Sequence, residues 1–244
     1  PMVLYTPGDE RPRLTVLRGN GTLLAEFEPA DIADGDALFA AGFLDDYSLC
    51  VLTQRRAILV YATNGVLLFR VDRIARENFG PATMTDAAFF GCGVVFLTRT
   101  RARNETGEVA RTLLVCALFN RTDREPVVYA RQMTLPMRRV VAHYYRPEHR
   151  LAAFFIDDDG ALLRCDNLFA MFSRTPAAPA PQLAFDPVDL PGTATAAAFD
   201  WDGRHALVLS VARGGSPAEL HLYSLRGDVP PPQKGAAPAV PPFV

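Results

Sequence analysis

Short apolar runs of strand length restart along this chain roughly every 50 residues, and that period constrains the fold more than any other feature. The first run of each unit falls near Phe39, Ala88, Val141 and Ala197. Such a period lies within the range of propeller blades and outside that of helical solenoids. The unit is clearest between Gly42 and Phe69. There Tyr47 to Leu52, Ala57 to Tyr61 and Val66 to Phe69 are apolar runs, separated by Thr53-Gln54-Arg55-Arg56 and Ala62-Thr63-Asn64-Gly65. Asn-Gly between apolar runs is the strongest two-residue hairpin signal a sequence offers. With Ala37 to Ala41 ahead, these runs make a four-stranded antiparallel meander, the unit of a blade. No apolar stripe of helical period accompanies it.

The same pattern recurs in order. Met2 to Tyr5, Leu14 to Arg18 and Leu23 to Phe27 read as three strands of a unit whose first strand is absent. Glu28 to Asp36 is a connection. Asp86 to Phe90, Val94 to Thr98, Thr112 to Phe119 and Val127 to Ala130 form the next complete unit, with a charged loop from Arg99 to Arg111. Arg139 to Tyr145, Leu151 to Ile156 and Ala161 to Cys165 follow. Leu168 to Phe172 suits either a last strand or one helical turn, and Arg174 to Pro191 reads as a long loop. Thr195 to Phe199, His205 to Val211 and Ala218 to Leu225 close the series. The expected fold is an all-β propeller of four-stranded antiparallel blades over residues 1–226, about five blades and incomplete. A proline-rich linker or disordered tail then occupies 227–244, because proline cannot donate to a sheet ladder. The opening at Pro1, directly into Met2-Val3-Leu4-Tyr5, reads as an interior fragment.

A chain of 244 residues that is 49% hydrophobic can bury a sizeable core without staples. Its formal net charge of −2 makes no electrostatic case for nucleic acid or an anionic membrane. Every basic residue except Lys234 is arginine, scattered rather than clustered. No apolar run approaches the roughly 20 residues of a spanning helix. Cys50, Cys92, Cys116 and Cys165 lack zinc-knuckle or C-x-x-C spacing. Cys50 and Cys116 sit in apolar runs, where a thiol is a small buried hydrophobe. That usage fits a reducing compartment and leaves two disulfides open.

Asp157-Asp158-Asp159-Gly160 and Asp200-Trp201-Asp202-Gly203 resemble the start of a calcium loop but lack its full run of oxygen ligands. Aspartate-rich turns before glycine are ordinary hairpin chemistry. The spacings of His143, His149, His205 and His221 match no zinc motif. No nucleophile elbow is present, Gly214-Gly215-Ser216-Pro217 being a turn, and no glycine-rich phosphate loop opens a helix. Catalytic, cofactor-binding and metal-ligating residues are therefore assigned to none of these positions, and no cofactor is expected. Sequons at Asn20, Asn104 and Asn120 fall in expected turns, where glycans attach if a chain is secreted.

The run Arg11-Pro12-Arg13-Leu14-Thr15-Val16-Leu17, then Ala41 to Val51, then Ala57 to Tyr61 with Asn64-Gly65, resembles the N-terminal propeller of the vacuolar protein sorting-associated protein 16 family. Asp86 to Phe90 leading into Gly93 to Thr98 extends the likeness. Phe43 stands where that family typically has Trp, and Thr53 to Arg56 where it has an Asp-Gly-like turn. The resemblance implies a non-enzymatic scaffold of the HOPS and CORVET endolysosomal tethering complexes, cytoplasmic and peripheral at endosome, vacuole and lysosome membranes, acting in vesicle trafficking. Its implied partners are other subunits of such a complex, with no nucleic acid and no membrane insertion. The competing expectation is a secreted or lumenal propeller with a ligand-binding or glycosidase-like face, motivated by the sequons and the aspartate-rich turns.

Overall fold

The structure is a computed structural model that describes residues 2–6, 12–44, 47–72, 82–104, 107–119, 126–133, 135–172, 185–200, 202–211 and 218–224. The expected turns at 120–123 and 214–217, Trp201 and the tail from 227 lie outside these residues.

Five antiparallel meanders form the blades of a β-propeller. Blade one is β1 (Met2–Leu4), β2 (Leu14–Leu17) and β3 (Leu23–Phe27). Blade two is β4 (Leu38–Phe43), β5 (Leu49–Thr53), β6 (Ile58–Tyr61) and β7 (Leu67–Val71). Blade three is β8 (Thr83–Phe90), β9 (Gly93–Asn104), β10 (Gly107–Phe119) and β11 (Pro126–Met133). Blade four is β12 (Met137–Tyr145), β13 (Arg150–Asp157), β14 (Leu162–Cys165) and β15 (Asp186–Val188). Blade five is β16 (Thr193–Phe199), β17 (His205–Val211) and β18 (Ala218–Ser224). A single helical turn, α1 (Leu168–Phe172), interrupts the strands.

Strand alternation explains the packing. Successive side chains point to opposite faces of a sheet, so a strand between two blades must be apolar at every position. β6 reads that way, as do residues 49–52 of β5, 94–97 of β9 and 151–156 of β13. Leu49 and Val51 of β5 face blade one with Leu14 and Val16, whereas Cys50 and Leu52 face blade three with Val94 and Phe96. Val95 and Leu97 turn from blade three toward Val140, Leu151 and Phe155 of blade four, and Phe154 and Ile156 turn from blade four toward Ala206 and Val208 of blade five. Four apolar interfaces thus join five blades in chain order. Each fully buried aliphatic or aromatic side chain in them contributes about 1.5–3 kcal/mol.

Three expectations are corrected. β1 lies beside β4 as β4 lies beside β8, so it is an inner strand, and among the described residues blade one lacks its outer strand rather than its first. Residues 28–37 take turns instead, with Ile32 N–H bonded to the Pro29 carbonyl and Asp36 N–H to that of Ala33. The charged segment Arg99 to Arg111 is an extension of the β9–β10 ladder, whose register runs without a break from Arg99↔Thr112 to Asn104↔Gly107. Ladder bonds are made by backbone, so a charged sequence is compatible with them. Of the two readings open for Leu168 to Phe172 the structure takes the helical turn, where Asn167 Oδ1 accepts the Phe169 N–H at 3.1 Å as an N-cap. The outer strand of blade four is β15, inside the segment read as loop. It tolerates Pro187 because it pairs only with β14.

Five hairpins share one turn. At 18–22, 44–48, 53–57, 62–66 and 157–161, the first residue's N–H donates to the carbonyl four residues on, and the fourth residue's N–H donates back to the first carbonyl. The fourth residue is left-handed in each case: Gly21, Tyr47, Arg56, Gly65 and Gly160. This is the three-residue loop with a G1 bulge, so Asn64-Gly65 marks a hairpin but not the two-residue turn expected. Asn64 Oδ1 accepts the Val66 N–H at 3.2 Å instead. Arg56 holds φ at 69° with a Cβ, which costs about 1–2 kcal/mol. Glycine there gives back about 0.5–1 kcal/mol in unfolded-chain entropy. Arg56→Gly should therefore raise urea-unfolding stability by about 0.5–1 kcal/mol, and a measured loss would contradict the turn as described.

Candidate functional site

The C-terminal ends of the inner strands gather at one rim. A Cβ on Gly42 of β4 would lie 2.4 Å from the Phe89 ring of β8, so glycine permits these strands to approach. Phe90 at the end of β8 meets Tyr144 of β12 at 6.2 Å between ring centroids. Tyr145 O–H, one residue further, donates to the carbonyl of Gly203 in the β16–β17 turn. The rim is aromatic because four inner strands end on aromatic residues: Phe43 of β4, Phe89-Phe90 of β8, Tyr144-Tyr145 of β12 and Phe199 of β16.

Its most polar sector joins blades four and five. The Arg150 guanidinium sits 3.9 Å from the centroid of the Tyr145 ring, and its Nε meets Glu148 Oε2 at 3.1 Å. Arg164 Nε meets Asp166 Oδ1 at 2.6 Å. Tyr144 O–H and His149 Nδ1 are 3.1 Å apart. Burial pushes the Tyr145 phenol up, against the lowering effect of Arg150. Between Tyr145, Arg150, Phe154, Arg164 and Phe199 lies a cavity of about 10 Å³, room for roughly one water. It is far below the roughly 300 Å³ of a small-molecule site.

Asp200, Asp202 and His205 come together across the β16–β17 turn, their donor atoms within 4.8 Å of one another. The sequence reading placed Asp200 in a turn and His205 in a separate strand run. It missed that residues flanking a four-residue turn are cross-strand neighbours, and their spacing of five was the available signal. Three such donors are chemically able to hold a divalent cation. In the structure they serve the turn: Asp200 Oδ1 accepts the His205 N–H at 3.0 Å and Oδ2 faces His205 Nδ1 at 2.8 Å. Asp202 Oδ1 accepts the Arg204 N–H at 3.1 Å and its Oδ2 lies 2.9 Å from Arg204 Nε. Desolvation pushes the Asp200 carboxyl up, but the bonds from the His205 amide and ring and from Asp202 outweigh it and hold it below the usual range.

A depressed carboxylate contributes stability that is present above its unfolded pKa of about 4 and lost as pH falls through the lower folded value. The gap in Tm between the native chain and Asp200→Asn should therefore hold from pH 7 to about pH 4 and close below it. A gap that widened on acidification would contradict the pairing.

The other candidates disperse. Asp157 Oδ1 accepts the Ala161 N–H at 2.8 Å, while Asp158 Oδ1 binds Arg99 at 2.6 Å. Those two carboxylates serve the hairpin and a neighbouring blade. His143 packs against Tyr145 and Phe199 at 4.7 and 5.7 Å between ring centroids. His221 Nε2 meets Ser210 Oγ at 2.7 Å. No disulfide joins the four cysteines, of which Cys92 is exposed and the others buried. Burial pushes the Cys116 thiol up to about 12 and Cys50 higher. Among the described residues, no helix is long and apolar enough to cross a membrane.

No protein-family model and no curated protein matches the chain. Among solved structures it is similar to TolB from Acinetobacter baumannii, with 10% sequence identity and a TM-score of 0.49 over 88% of this chain. The match covers 47% of that protein, so the chain spans about half its length.

Proposed function

We propose that this propeller is a non-enzymatic protein-interaction scaffold, a part of an endolysosomal membrane-tethering subunit, cytoplasmic and peripheral at endosome, vacuole or lysosome membranes. The observation that carries the scaffold reading is the rim. Its polar side chains are engaged with one another and with turn backbone, and its cavity admits about one water. What such a rim offers is a partly buried arginine- and aromatic-rich surface flanked by the exposed Arg146 and Arg204, the composition of protein interfaces. The tethering reading rests on the family-like residues Ala41 to Val51 and Ala57 to Gly65. These fold as one complete blade, β4–β7, buried between neighbours on both sides.

Co-expression of the native protein with the remaining subunits of a HOPS- or CORVET-type complex tests it. Co-elution at stoichiometric ratio is expected, and elution apart from all of them overturns the tethering reading. The secreted alternative draws on Asn20, which lies exposed in its turn with Thr22 Oγ1 donating to Asn20 Oδ1 at 2.9 Å. A glycan-shifted mass at Asn20 in the native protein would replace the cytoplasmic scaffold with that alternative.

A further inference from the structure

The β9–β10 hairpin runs past the rest of its blade. β8 pairs with β9 only as far as Thr83↔Arg99, and β11 pairs with β10 only as far as Thr112↔Met133. Beyond those pairs the ladder continues through five more, from Thr100↔Arg111 to Asn104↔Gly107, with no register shift. Its root is fixed. Thr83 Oγ1 donates to the Arg99 carbonyl at 3.4 Å, Arg99 Nη2 donates to Asp158 Oδ1 at 2.6 Å, and Thr112 Oγ1 accepts the Met137 N–H at 3.1 Å. A two-stranded ribbon about 16 Å long thus projects beyond the N-terminal end of β8, whereas the aromatic rim lies at its C-terminal end.

Both edges of this ribbon are unpaired among the described residues. A lone two-stranded ribbon is marginal in water, and a third strand stabilises it. The blade does not supply one. Past β11 the chain turns into β12 at Met137, the Pro136 carbonyl accepting the Asp158 N–H on the way. Pro81, two residues ahead of β8, has no N–H to give a ladder. Exposed edges are ordinarily blunted by prolines, bulges or charge. Residues 100–104 contain no proline, and their ladder has no bulge. Their charge is all of one sign, with Arg101 and Arg103 at alternate positions after Arg99. Such an edge repels a copy of itself, which would set arginine near arginine, and admits a strand of opposite sign. In strand addition the main-chain bonds supply affinity and alternate side chains supply specificity.

We propose that the β9 edge at residues 100–104 takes up an extended acidic segment of a partner protein as a third strand, with carboxylates at alternate positions to match Arg101 and Arg103. This rests on the scaffold reading and not on the tethering assignment, so a chain that elutes apart from tethering subunits still binds the strand. Amide hydrogen exchange of the protein tests it, with a ten-residue alternating Glu-Thr peptide as probe and the Lys-Thr peptide as control. At ten times its dissociation constant the Glu-Thr peptide should slow exchange at residues 100–104 by about 10-fold and leave 94–97 unchanged. Arg101→Glu with Arg103→Glu should transfer that protection to the Lys-Thr peptide. Ala102→Pro, which removes a ladder N–H, should abolish it for both, and it serves alone if the double variant folds poorly. Equal slowing by the two peptides, or none, overturns the proposal. So does exchange at 100–104 that is as slow as at 94–97 before peptide is added, since the chain would already cover its own edge. Protection that rises with protein concentration alone overturns it too, assigning the edge to a second copy.

Discussion

Phe155→Ala is expected to lower the unfolding free energy by about 3–5 kcal/mol, the largest effect of any single truncation in this fold. Phe155 lies in the middle of β13, is fully buried and pairs across the sheet with Val140 and Leu163. Its ring meets Phe185 edge-on at 5.4 Å between centroids. It faces blade three, whose Leu97 and Leu114 belong to the same cluster. Truncation leaves a cavity walled by two ladders, and hydrogen-bonded sheets collapse poorly into a void. Domains of this kind are stable by about 5–15 kcal/mol in all, so the variant should lose between a fifth and most of its margin. Urea unfolding followed by far-UV circular dichroism measures it. Val66→Ala, at an exposed position after the β6–β7 turn, should stay within about 0.5 kcal/mol. Comparable costs for the two would mean that the blade interfaces are not packed as described.

The same alternation that makes Phe155 costly made the fold readable. Continuous apolar runs such as Leu151 to Ile156 and Leu49 to Leu52 announce strands covered on both faces, and their restart at a fixed period announces blades. What stayed hidden lies where side chains do not determine the backbone. The β9–β10 extension is held by main-chain bonds beneath charged side chains, so composition argued for a loop. β15 is three residues with a central proline, which only an edge strand accepts. Blade one reversed its gap because inner and outer strands differ in neighbours rather than in residue type, and neighbours are a tertiary property.

The candidate rim was less legible for the same reason. Asp200 and His205 were each noted, yet only hairpin closure puts Nδ1 2.8 Å from the carboxylate. Tyr145, Arg150 and Arg164 belong to three strands and acquire meaning only when blade four folds. The family-like residues, by contrast, are runs local in sequence, most of them in blade two and the rest in single strands of blades one and three. That is why resemblance could be noticed without the rim being visible.

Gly203 ties the rim together, and Gly203→Ala should cost about 2–5 kcal/mol from two separable causes. Gly203 sits at φ 69° in the β16–β17 turn, a conformation that costs a residue with a Cβ about 1–2 kcal/mol. The added Cβ would also lie 2.1 Å from Cδ2 and 2.4 Å from Nε2 of His143. That ring already packs against Tyr145 and Phe199, so overpacking should add about 1–3 kcal/mol. Gly21 separates the two causes. It has φ 82°, yet nothing lies within 4 Å of the position its Cβ would take. Gly21→Ala should therefore cost only the conformational part, about 1–2 kcal/mol. Equal losses at the two glycines in urea unfolding would refute the His143 contact. In a His143→Ala background the cost of Gly203→Ala should fall toward that of Gly21→Ala, because the group it strikes has been removed. If the cost does not fall, the strain belongs to the turn alone and the two blades are not locked at this point.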